Sequence, residues 1–137
     1  MEVQLINDEL LRELANTVVH SDRKRLAYDL STTPDSTSQR ILNSLTVGTE
    51  VPIHRHENTS ETIICIKGML DVVFYVDMPN MDAGGPGREF QETARFRVCP
   101  REGTFGIQVP QGAWHSVIVH EPSTILEAKD GPYISPK

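Results

Sequence analysis

The chain predicts an all-β fold, a double-sheet jelly-roll barrel with one helix ahead of it, and three observations carry that expectation. From Arg40 onward the sequence breaks into short apolar runs near 41–47, 50–55, 61–67, 69–77, 90–99, 104–109, 114–120 and 124–129, separated by turn residues. Eight short strands fit two packed sheets better than any helical arrangement. Within them, Thr93-Ala94-Arg95-Phe96-Arg97-Val98 alternates polar and apolar side chains, the pattern of a sheet with one wet and one dry face. The length, 137 residues, supports one hydrophobic core and is too short for two ordinary domains.

The first quarter differs from the rest. Asn7 or Asp8 can cap a helix whose Leu10, Leu11, Leu14 and Val18 fall on one stripe. That stripe suits packing on the outside of the barrel or at a dimer contact. Arg23-Lys24-Arg25, Tyr28-Asp29-Leu30 and the polar run from Ser31 to Ser38 lack periodicity and are expected to form an extended loop. Residues 1–39 thus form a helix and an extended segment laid on a barrel of residues 40–137. Between strands, the run from Met78 to Gly87 has the composition of a hairpin tip, able to hang over a neighbouring subunit.

Charge narrows the partners. Thirteen Lys and Arg against nineteen Asp and Glu give a net charge of −6, which repels a nucleic-acid backbone. The one basic cluster, Arg23-Lys24-Arg25, is short. No apolar run approaches the roughly 20 residues needed to cross a bilayer, and the N-terminus lacks the basic-then-apolar order of a signal peptide. A cytoplasmic protein without membrane or nucleic-acid partners is expected. Cys65 and Cys99 form no Cys-x-x-Cys pair and are expected to be reduced, partly buried strand residues.

The chemistry concentrates in Gly48-x5-His54-x-His56-x4-Glu61-x6-Gly68. Strand residues alternate faces, so His54 and His56 project to one side about 6.6 Å apart along the strand. Glu61 opens the next strand, expected to return antiparallel after the turn Glu57-Asn58-Thr59-Ser60 and so to sit beside the histidines. Gly68 would end that strand in a tight turn. Downstream, the turn Pro110-Gln111-Gly112-Ala113 feeds His115 into a further strand and completes a set of three imidazoles and one carboxylate. Such donors suit a divalent metal, Zn, Fe, Mn or Ni among others, and the residue types do not choose between them.

These two blocks resemble the two sequence motifs of the cupin superfamily. The resemblance implies that His54, His56, Glu61 and His115 bind the metal. The second block departs from the pattern in having one extra residue between Gly103 and Pro110, and in ending on Val119 where that motif ends in asparagine. A narrower resemblance runs through Arg40-Ile41-Leu42-Asn43-Ser44-Leu45, the His54-Arg55-His56 block, Val109-Pro110 with Trp114-His115, and the ending Glu127-x-Lys129-x-Gly131-Pro132-Tyr133. Together these are similar to the WbuC group of cupin-fold metalloproteins, which is associated with bacterial surface-polysaccharide gene clusters. That similarity implies pocket positions for Arg40, Lys67 and Tyr133, and Arg25 would join them if the N-terminal segment folds over the mouth.

Other residues near the motifs have plainer expectations. Arg55, between two ligands, points to the opposite face and suits an ion pair. Trp114, next to His115, is expected to pack in the barrel wall. His20 and His120 suit surface or hydrogen-bonded roles.

A metal held by four side chains in an open barrel keeps positions for water or a small-molecule ligand. It would act as a Lewis acid on a sugar, hydroxy acid or keto acid, and Fe(II) would add dioxygen chemistry. Two functions follow. One is an enzyme, a metal-dependent isomerase or dioxygenase-like cupin; the other is a binding or sensing module in which the metal anchors a ligand without turnover. A metal-free epimerase-like barrel using histidine as base is a third. The apolar helix stripe and open sheet edges suggest a homodimer.

Overall fold

The computed structural model describes residues 1–80 and 87–132. Helix α1 (Asp8–Val18) is followed by β1 (Arg25–Asp29), β2 (Ser38–Leu45), β3 (Glu61–Asn80), β4 (Gly87–Val98), one turn of 3-10 helix (Pro100–Glu102), β5 (Gly106–Val109) and β6 (Trp114–Asp130). All strand pairs are antiparallel. The greater part of the expected hairpin tip, 81–86, lies outside the described residues.

Eight short strands were expected; among the described residues six form, because two pairs fuse, 50–55 forms no strand and β1 is added. The runs 61–67 and 69–77 are one strand, β3, and 114–120 with 124–129 are another, β6. Each long strand bends midway and exchanges partners. The first half of β3 lies between β5 (Glu61↔Val109) and the second half of β6 (Glu61↔Lys129). Its second half pairs with β4 (Leu70↔Val98) and the first half of β6 (Val72↔Val117). Register slips at Cys65/Lys67, Lys67/Met69 and Met69/Leu70 mark the bend. Gly68 serves this bend rather than the expected turn. Its φ is +113°, and a Cβ there would lie 2.2 Å from Ser123 Oγ and 2.6 Å from the Pro122 carbonyl. Only glycine admits both the dihedral and the approach of the two strands.

Bending lets the two halves enclose one core. Ile63, Cys65 and Ile125 from one half pack with Leu70, Val72, Val98, Val117 and Val119 from the other. The segment read as loop, 23–38, contains the edge strand β1, paired to β2 from Arg25↔Leu45 to Asp29↔Ile41. Three polar or charged residues in those five masked its strand character. Conversely, 50–55 is no regular strand; His54 makes only an isolated bridge to His115.

Asn7 caps α1, its Oδ1 accepting from the Leu10 amide at 3.0 Å. Leu10, Leu11, Leu14 and Val18 are buried, as their stripe predicts. Leu10 and Leu14 pack on Leu42, with Leu26, Tyr28, Leu30 and Leu126 around them. This second cluster covers the outside of the β2–β6 sheet, leaving the odd-numbered residues Ile41, Asn43 and Leu45 to face the barrel interior. Each leucine so buried contributes about 2 kcal/mol.

Candidate metal centre

The odd-numbered side chains of four neighbouring strands converge on a cavity of about 580 Å³. That size suits a small molecule, for which sites run about 300–1,000 Å³. Arg25 and Ala27 of β1, Asn43 of β2, Glu61 and Ile63 of β3, and Ile125, Glu127 and Lys129 of β6 face into it, closed on the far side by Val51 to His54, His56 and His115.

The three histidines meet there, offering nitrogens that all lie within 4.8 Å of one another. Strand pairing differs from expectation. His54 is bridged to His115 through reciprocal backbone bonds of 3.0 and 2.9 Å, so β6 rather than β3 is its neighbour. The His56 carbonyl accepts from the Gly112 amide at 2.9 Å, tying the other histidine to the turn before His115. Glu61 then approaches from β3, its Oε1 3.4 Å from His115 Nε2 and its Oε2 3.6 Å from His56 Nε2.

Tautomers are set by the backbone. His54 Nδ1 lies 2.8 Å from the Pro52 carbonyl and His115 Nδ1 lies 2.9 Å from the Ala113 carbonyl. A carbonyl only accepts, so each Nδ1 carries the hydrogen and each Nε2 keeps its lone pair. Nε2 of His56 and of His115 are buried with no hydrogen-bond partner. Leaving buried polar atoms unpaired costs about 1–3 kcal/mol each, and a cation is the partner that a lone pair beside a carboxylate lacks. Burial lowers the His54 pKa and brings that of His56 down to about 4, keeping both rings neutral, the form that ligates. Neutral imidazoles, orphaned nitrogens and an ionised carboxylate fit a divalent metal.

Lys129 was not anticipated. Its ammonium donates to Glu61 Oε2 at 2.8 Å and lies 3.5 Å from Glu127 Oε2, with the side chain 8% exposed. Burial would push the Glu61 carboxyl up, but the Lys129 ammonium that donates to it pulls it below its ordinary value and keeps it ionised. Burial next to Glu61 pushes Glu127 up, against the opposing pull of Lys129. The signal was present in Ile125-x-Glu127-x-Lys129, three residues on one strand face leading from the core to the histidines.

The remaining candidates are dispersed. Arg25 lines the cavity. Arg40 shares parity with Leu42, on the side opposite the cavity-facing residues, where it hydrogen-bonds Ser38 and borders a separate cleft with Thr62 and Gln108. Lys67 is exposed, six residues along β3 from Glu61 or about 20 Å of strand, and is not among the cavity residues. Tyr133 lies outside the described residues. Arg55 pairs with Glu57 at 2.9 Å and stacks on Trp114, its Cζ 4.5 Å from the ring centre. Cys65 and Cys99 are buried and free, and burial raises the Cys65 thiol to about 11.

Comparison with solved structures identifies this architecture as a cupin fold. A cupin-2 domain-containing protein from Shewanella frigidimarina is similar at 16% identity and a TM-score of 0.56, over 92% of this chain and 94% of that one. A sugar phosphate isomerase from a cupin superfamily, from Silicibacter pomeroyi, is similar at 18% identity and a TM-score of 0.55, over 80% and 60%. SPY1581 from Streptococcus pyogenes, a conserved protein of unknown function, is similar at 16% identity and a TM-score of 0.61, over 98% and 93%. No curated protein matches the chain in sequence. Residues 6–83 match the family described as Domain of unknown function (DUF6016), and the chain belongs to that family. No helix among the described residues is long and apolar enough to cross a membrane.

Proposed function

We propose that this chain is a divalent-metal cupin of the WbuC type, holding the ion by His54, His56 and His115 with Glu61 as the fourth donor. Its ligand would be a small oxygen-rich molecule, a sugar or a carboxylate of bacterial surface-polysaccharide metabolism. The observation that carries this reading is the pair of buried, unpartnered Nε2 atoms beside an ionised carboxylate. The likeness to a cupin sugar phosphate isomerase is in keeping with such a ligand. A bound ion would polarise a ligand oxygen as a Lewis acid. The chain's own residues fix the imidazole tautomers, hold Glu61 through Lys129, and offer an aliphatic wall of Ile41, Ile63, Val117 and Ile125 to the ligand's carbon skeleton.

A second reading, a binding or sensing module without turnover, is favoured by one feature: both cavity carboxylates, Glu61 and Glu127, are engaged by Lys129 and neither stands apart as a proton acceptor. Incubating the metal-loaded protein with pooled sugars, nucleotide sugars and keto acids under NMR separates the two. New product signals establish an enzyme; line-broadening without products establishes a binder. Neither, with each ion supplied, would remove the small-ligand function. A cytoplasmic homodimer belongs to the same reading, with the exposed Ile64 and Ile66 of β3 as apolar surface for the contact.

A further inference from the structure

The buried ammonium beside the histidines sets the charge of the site. Lys129 sits opposite Glu61 in the β3–β6 register, donates to Glu61 Oε2 at 2.8 Å, and lies 3.5 Å from Glu127. Glu61 is held by Lys129 through Oε2, while its Oε1 lies 3.4 Å from the His115 nitrogen that faces the cavity. Imidazoles ligate as neutral groups, so they add no charge. With a divalent ion in place and Glu61 ionised, the count is +2 with Lys129 and +1 without it, and an ionised Glu127 lowers both by one. An anion entering a part-buried site of that sign gains far more than it would in water.

We propose that Lys129 makes this centre an anion-accepting site: its ammonium offsets the charge of Glu61, so that the bound ion takes a ligand bearing a carboxylate. This rests on the reading of the histidines as a metal centre. It narrows the ligand class from oxygen-rich molecules in general to carboxylates, acidic sugars included, and makes Lys129 a charge-balancing residue rather than a ligand.

Co(II) makes the test visible. Protein loaded with Co(II) is titrated with glycolate, and separately with ethylene glycol, its uncharged counterpart, following the visible absorption band. The parent is expected to take up about one Co(II) per chain and to bind glycolate at least about tenfold more tightly than the diol. Lys129→Met is expected to keep its Co(II) and to bind glycolate about tenfold more weakly, whereas Lys129→Arg, which keeps the charge, stays within about threefold of the parent. Equal glycolate affinity in the parent and a folded Lys129→Met would overturn the proposal, as would a folded Lys129→Met that no longer takes up Co(II). If Lys129→Met does not fold, the parent comparison decides: glycolate bound no better than ethylene glycol overturns it. A parent that takes up no Co(II) or other divalent ion removes the metal reading itself, an outcome distinct from metal bound without preference for the anion.

Discussion

Two buried carboxylates, each beside a histidine and a cation, stand on β3 ten residues apart, and they differ in what they leave unpaired. Asp71 accepts from Arg97 Nε at 2.9 Å, lies 2.9 Å from His120 Nε2, and has Arg95 at 3.5 Å. Its partners are partly solvent-exposed, and the cluster closes on itself. Glu61 lies 3.4 and 3.6 Å from imidazole nitrogens that have no partner at all, and its one strong bond is to Lys129. A buried carboxylate with a histidine is therefore not in itself a site. The distinguishing mark is unsatisfied lone pairs facing a cavity, which a structural ion pair does not leave.

The largest effect should separate the two clusters outright. His54→Ala combined with His56→Ala is expected to abolish metal uptake, read as ions per chain after dialysis, while the fold persists by circular dichroism. Retention of metal would show that the donors lie elsewhere. Gly68→Ala strikes the bend that both regions depend on; with a φ of +113° and a Cβ 2.2 Å from Ser123 Oγ, it should cost about 2–4 kcal/mol in urea unfolding. A loss below about 1 kcal/mol would mean that the strands accommodate the methyl by shifting.

Asp71→Ala should cost about 1 kcal/mol, because the partners it leaves, Arg97 and His120, are partly open to water, and it should leave metal content unchanged. Reduced metal content would show that the outer cluster supports the site. Acid sharpens the same point. Burial would raise the Asp71 carboxyl, but its bonds to Arg97 and His120 outweigh that and hold it below its ordinary value. A depressed folded value stabilises the protein above the unfolded value near about pH 4 and loses that stabilisation as pH falls through the folded one. Asp71→Asn should therefore show a shallower loss of stability below about pH 4 than the parent; parallel curves would contradict this. Last comes Asn7→Ala, also expected to cost about 1 kcal/mol, through loss of the helix cap, and to leave the site untouched.

What the sequence disclosed follows from periodicity. The helix stripe depends on spacing that local geometry preserves, and the three histidines were legible as residue types within two short blocks. What it withheld depends on pairing between distant segments. His54 meets His115 across a bridge spanning 61 residues of chain, and nothing local distinguishes that neighbour from β3. Gly68 looked like a turn because a glycine between two apolar runs has the same composition whether the chain reverses or bends; the deciding contact, Ser123, lies 55 residues on. Arg40 was placed by likeness to other chains, whereas its parity with Leu42 sets it on the side opposite the cavity. Lys129 could have been read by the same rule, since it alternates with Ile125 and Glu127 on the inner face.

The three histidines and Glu61 stand or fall together as a divalent-metal centre. Elemental analysis of protein purified without chelator and without a nickel column, counted per chain, tests it most directly. Close to one Zn, Fe, Mn or Ni per chain is expected; protein that stays metal-free after each of these ions is added back would rule the centre out.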